Sequence, residues 1–327
     1  MPSLRLTWVL IRRNWLTLWF VVADCWYVLP NIRDFLSLRL LTDAVLYSDA
    51  TKAWLTGGDP WLVSEGGTAF GAPPPTLLLY VPFAFLPSIV TALVWLVIDL
   101  LAVAFVIRRL NLPWWWVLFP PLAQAIVPAN PEPVVVACLV AVGPVANAIA
   151  PLVKIYAFAP LLGERRWRPI FACVALLAIS AAVLPWGLFI HDLPIVTATL
   201  VAQTASLSAF DVPLLLPIAV VGLAAVGLRR AGWLAVPVLW PHTQIHYAAL
   251  SLPELSPLLA VGFSLPIPGA PPVALAAQAL LERRQARVSY TTGKVAHLAG
   301  AEPRSVAHKE AGVRRRRRSS SQGGPCG

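Results

Sequence analysis

The sequence predicts an all-α, polytopic membrane protein, and three observations carry that prediction. Of 327 residues, 58% are hydrophobic and 12% charged, against roughly 25% charged in soluble domains. Apolar runs of spanning length recur from end to end. The 32 prolines and 14 tryptophans suit broken helices and interfacial aromatic belts. Inside hydrocarbon every backbone N–H and C=O must find a partner within the protein, which leaves helices or closed barrels, and these runs have helical length.

Arg5, Arg12 and Arg13 precede a first span at about 14–30, so residues 1–13 are expected in the cytoplasm. No small-residue cleavage site follows, so this start is not expected to be a cleaved signal peptide. Residues 31–74 form the longest polar connection and carry Asp34, Asp43, Asp49, Asp59 and Glu65. By alternation it lies on the outer face. Within it, Val45, Leu46, Ala50, Ala53, Trp54 and Leu55 recur at helical spacing. Thr42 is the expected N-cap, Asp43 a first-turn acid, and Gly57-Gly58 the stop. The connection therefore contains a helix beside the membrane, either an interfacial anchor or the edge of a site.

Pro73-Pro74-Pro75 opens a short apolar segment, 75–87, and a full span follows at 88–107. Short apolar segments near 114–128 and 131–146 flank the turn Pro128 to Pro133, and their length suits half-helices that line cavities. Further spans are expected at 146–163, 169–190, 212–228, 232–252 and 255–281, with a moderately polar connection at 191–211. About ten crossings result, forming one domain from 14 to 281. They put the basic clusters at 165–168, 229–230 and 283–287 inside and Arg108-Arg109 outside. Either that pair is an exception or one short segment does not cross.

Much of the formal charge of +10 lies beyond residue 281, above all in Arg314 to Arg318. Residues 282–327 cannot bury a core and are expected to form a disordered cytoplasmic tail near anionic lipid, with no nucleic-acid partner. Four scattered cysteines (Cys25, Cys138, Cys173, Cys326) give neither a metal spacing nor a disulfide framework. No phosphate-binding glycine loop is present, so nucleotide-driven chemistry has no evident seat.

Lys154 lies in an apolar span, where an ammonium is costly without a counter-charge. No acid accompanies it in that segment, so a ligand phosphate is a natural partner, with snorkelling as the plain alternative. Asp24 and Asp99 are the other intramembrane acids and are expected to make structural pairs. His242 and His246, one helical turn apart in the 232–252 span, share a face. Without a third ligand they suit a phosphate or hydroxyl better than a metal. Asp43 can act as a general base or merely favour the helix dipole.

Three stretches together resemble a known family. Asp43-Ala-Val-Leu-Tyr47 is followed by Ala53-Trp-Leu-Thr-Gly-Gly-Asp-Pro-Trp61 and Phe70-Gly-Ala-Pro-Pro74. Asn130-Pro131 is followed by Lys154-Ile-Tyr-Ala-Phe-Ala-Pro160 and Arg165 to Arg168, and Trp240-Pro-His-Thr-Gln-Ile-His-Tyr247 comes late. Their order over residues 14–280 resembles glycosyltransferase family 87, membrane enzymes of the GT-C class, with departures at Trp61, Ala72 and Glu132. The resemblance implies a bacterial plasma-membrane enzyme facing outward, needing no cofactor. It would move a sugar, typically mannose, from a polyprenyl phosphate to a lipid or glycan hydroxyl with inversion. It further implies Asp43 as base, Lys154, His246 and His242 at the donor phosphate, and Tyr47, Asp49 and Lys52 on the acceptor side. The Gly57–Trp61 turn would shape the acceptor entrance. A secondary transporter is the alternative, because broken helices with buried charge suit one too, and a lipid flippase or scaffold subunit is another.

Overall fold

The computed structural model describes residues 2–29, 41–65, 67–203 and 207–298, with side chains from residue 14 to 288 apart from 199–200 and 202–203. Asp34, the side chains of Arg5, Arg12 and Arg13, Arg314 to Arg318 and Cys326 lie outside the described residues. The chain divides into a unit from Met1 to Ala279 and a second from Leu280 onward.

The first unit is all-α, with one two-stranded hairpin. Helix α1 (Pro2–Val28) has a kink at Asn14, and α2 (Thr42–Leu55) follows. Strands β1 (Ser64–Glu65) and β2 (Thr68–Ala69) pair antiparallel, and α3 (Pro75–Tyr80) leads to α4 (Ser88–Arg109). Then come α5 (Pro120–Ile126), α6 (Glu132–Val140), α7 (Pro144–Val153), α8 (Phe158–Gly163), α9 (Trp167–Ser180) and α10 (Trp186–Gln203). The series closes with α11 (Leu216–Val226), α12 (Leu228–Leu239), α13 (Pro257–Phe263) and α14 (Ala270–Leu298).

Prolines account for much of this fragmentation. A proline lacks the N–H that would bond one turn back, but its fixed φ suits the first turn of a helix. Thus Pro75, Pro120, Pro144 and Pro257 each stand in the first turn of a short helix. Several expected spans are therefore interrupted. The 146–163 segment breaks at Lys154, which is extended at φ −138° and ψ 108°. The 169–190 segment breaks between α9 and α10, and α10 occupies most of the expected connection at 191–211. The 255–281 segment breaks between α13 and α14, and α14 continues past the expected boundary at 282 as far as Leu298. Among the described residues one helix, α4, is both long and apolar enough to cross a membrane; α7, α9 and Pro213–Val226 are apolar but shorter.

Two apolar clusters hold the unit together. The larger gathers Phe20, Phe119, Leu139, Leu161, Trp233 and Phe263. The smaller packs Leu46, Tyr47, Trp61, Phe70, Tyr80 and Trp95 around α2. Helices α8 and α12 touch through glycines: a Cβ on Gly163 would stand 2.8 Å from Gly232 Cα and 2.8 Å from the Leu228 carbonyl oxygen. Only hydrogens at both positions permit that approach.

Candidate functional site

The N-terminus of α2 is held by backbone. The expected Thr42 cap is not made, because Leu41, in the left-handed region at φ 66°, occupies the cap position. Instead, the carbonyl of Pro128 accepts from Asp43 N–H at 2.9 Å and Ala44 N–H at 3.4 Å, while Leu41 N–H donates to Val127 at 3.0 Å. Two of the first turn's otherwise unpaired N–H groups are thereby satisfied by the 126–131 turn. That turn also brings Asn130 to Asp43. Asn130 Nδ2 donates to Asp43 Oδ2 at 2.6 Å, and its Oδ1 accepts from Glu132 N–H at 3.0 Å. Burial raises the pKa of Asp43, while the Asn130 hydrogen bond and the Lys154 charge pull it down. The net direction is up from the ordinary 3.8, a setting suited to a proton acceptor.

One turn on, the Tyr47 ring packs against Phe70 and Tyr80, with centroids 5.1 Å from each. Its hydroxyl accepts from Lys154 Nζ at 2.8 Å. The ammonium lies 5.5 Å from the ring centroid, out beyond the hydroxyl, so this contact is a hydrogen bond and not a cation over the ring face. Two threonines set the meeting. Thr76 Oγ1 donates to Val153 O at 2.9 Å, at the C-terminal end of α7, and Thr51 Oγ1 lies 2.9 Å from Tyr47 O and 3.3 Å from Leu77 O. Helices α2, α3 and α7 are thus joined immediately beside the lysine. Lys154 is 8% exposed and has no carboxylate oxygen within 4.0 Å among the described residues.

These groups open onto one cavity of about 430 Å³, within the roughly 300–1,000 Å³ of small-molecule sites. Asp43, Tyr47, Asn130, Lys154 and His246 all line it. Of the residues expected from sequence, it therefore brings together Asp43, Tyr47, Lys154 and His246. Tyr47, expected on the acceptor side, also accepts a hydrogen bond from the lysine.

Asp49, Lys52 and His242 do not line the cavity. Asp49 and Lys52 lie roughly 120° and 180° around α2 from Asp43. Burial raises the Asp49 pKa against the pull of Lys52, and Lys52 is exposed. The two histidines do not share a helix face, because α12 ends at Leu239 and His242 is left-handed at φ 55°. His246 belongs to a 3₁₀ segment, Ile245–Glu254. His242 Nδ1 lies 3.1 Å from Asp211 Oδ1, and its backbone N–H donates to Asp211 Oδ2 at 3.2 Å. In the Gly57–Trp61 turn Gly57 and Gly58 are exposed while Trp61 is buried, with Nε1 donating to Ala72 O at 3.1 Å, and no residue of the turn lines the cavity. Thr68, Ala69 and Gly71, at and after β2, line the cavity there.

Asp99, expected to pair, does not: among the described residues both of its carboxylate oxygens are buried without a hydrogen-bond partner. Glu132, like Asp43, lies within range of the Lys154 charge, and its Oε2 accepts from the Tyr156 hydroxyl. Sequence reasoning passed over Gln124 and gave no site role to Asn130 and Tyr247, which it named only within motifs, and all three are on the cavity wall. Among the described residues no three His, Cys, Asp or Glu side chains cluster as metal ligands, and Cys25, Cys138 and Cys173 are free thiols. Comparison with known proteins adds no relative: no family model, no curated protein and no solved structure matches this chain.

Proposed function

We propose that the protein is a polytopic membrane glycosyltransferase that uses a polyprenyl-phosphate sugar and works on the outer face of a plasma membrane. One observation carries the reading: a carboxylate fixed by Asn130 and a buried ammonium with no carboxylate oxygen within 4.0 Å among the described residues line the same cavity. Asp43 takes the proton from an acceptor hydroxyl. That oxygen bonds to the anomeric carbon as the bond to the donor phosphate breaks, so the sugar is transferred with inversion. The phosphate keeps the bonding pair and leaves as an anion. Lys154 meets it with charge that is in place before the reaction begins, and the imidazole of His246 offers a hydrogen bond. The acceptor is a lipid-linked or glycan hydroxyl. The membrane reading is supported by apolar side chains exposed along α4, such as Leu93, Val97 and Leu101, and along α9, such as Phe171 and Ile179.

The test is transfer of label from polyprenyl-phosphate mannose to endogenous lipid or polymer in membranes holding the protein. Asp43→Asn should slow transfer by about 10²- to 10⁴-fold, the worth of a general base. Full activity in that variant removes Asp43 from the role. Uptake into vesicles without label transfer would instead support a secondary transporter or flippase.

A further inference from the structure

Two buried side chains on the cavity wall each carry a nitrogen with no hydrogen-bond partner among the described residues. Gln124 of α5 is 7% exposed and its Nε2 meets no acceptor. His246 is 6% exposed and its Nε2 is likewise unpartnered. A buried polar group left unpaired is costly, and native sites that carry one do so for a ligand, an ion or water. Gln124 also shares the cavity wall with the reacting groups. It directly precedes Ala125, whose carbonyl accepts from Asn130 N–H at 2.9 Å, and Asn130 is the residue that holds Asp43. Gln124 and Asn130 are therefore carried on one backbone turn, and Asn130 meets Asp43 across from it.

The chemistry of the amide selects its partner. A primary amide offers two N–H donors and one carbonyl acceptor. A phosphate takes donors only, and Lys154 already answers it as a point charge. A sugar hydroxyl both donates and accepts, so adjacent ring hydroxyls complement a neutral amide at both of its ends. In an in-line displacement the transferred ring lies between base and leaving phosphate, within the cavity that Gln124 lines.

We propose that Gln124 reads the ring hydroxyls of the transferred sugar and determines which epimer the cavity accepts. This rests on the glycosyl-transfer reading. The experiment measures binding to the full-length protein in lipid nanodiscs. The probes are farnesyl phosphate and its mannosyl, glucosyl and galactosyl derivatives. The wild type should favour one epimer by about tenfold or more, the discrimination available to a site built to hydrogen-bond a hydroxyl. Gln124→Leu and the shape-conserving Gln124→Met should each reduce that preference to within about threefold while still binding farnesyl phosphate. An unchanged epimer ratio in variants that hold farnesyl phosphate overturns the inference alone, as does a wild type indifferent to the sugar. If Lys154→Met leaves farnesyl phosphate affinity intact, the glycosyl-transfer reading fails and the inference falls with it.

Discussion

The hydrogen bond from Asn130 to Asp43 makes a quantitative prediction about pH. At 2.6 Å it is a short, charge-assisted contact that favours the ionised carboxylate. Removing a hydrogen bond to a charged group costs about 1.5–3 kcal/mol, and at 1.36 kcal/mol per pH unit this corresponds to roughly one to two units. Asn130→Ala should therefore move the acidic limb of kcat/KM upward by about that much, because the base works only when ionised. The same substitution removes the acceptor for Glu132 N–H and so costs helix stability. Asn130→Asp separates the two effects: it keeps an acceptor at that position, removes the donor and sets a second carboxylate beside Asp43. Its limb should move further up than that of Asn130→Ala. Stability has its own sign. Burial raises Asp43 above the unfolded-chain value, so its titration favours the fold below that value and this contribution is lost as pH rises through the folded one. The assay is transfer from labelled polyprenyl-phosphate sugar across pH. Acidic limbs unmoved in both variants, or moved downward, would refute the assignment of Asp43 as the titrating base.

Two other substitutions test the architecture. Gly163→Ala places a methyl 2.8 Å from backbone atoms of α12 that cannot swing aside, and should cost about 1–3 kcal/mol in denaturation measurements; an unchanged midpoint would show that α8 and α12 are farther apart. His242→Ala breaks the contact with Asp211 but touches no cavity wall, so kcat/KM should stay within about threefold of wild type, the range of an exposed pair. A hundredfold fall would put His242 back beside His246.

The helical class, α2 with its first-turn acid, and the isolation of Lys154 were legible because they depend on composition, short-range periodicity and the scarcity of charge. Thr56 ends α2 next to Gly57, which is left-handed at φ 82°, as the Gly57-Gly58 pair requires. The histidine pair was misread because helical spacing says nothing once the chain leaves the helix, and the left-handed His242 after Pro241 ends the repeat. Asn130 was given no site role for a different reason. Its partner is 87 residues away, and no local pattern marks an asparagine that will face an acid across such a distance. Gln124 likewise looks like one polar residue in an apolar run, and only the unpartnered nitrogen distinguishes it.

The carbonyl of Pro128 accepting from the first turn of α2 has a consequence for engineering. The helix start that carries Asp43 is set by peptide groups, which every residue type supplies, while the Asn130 side chain orients its carboxylate. Side-chain changes at 127 and 128 should leave the carboxylate in place. Removing one residue between Val127 and Asn130 changes which carbonyl meets the helix and where the amide points. The location of the acid is thus written in the length of that turn more than in its letters.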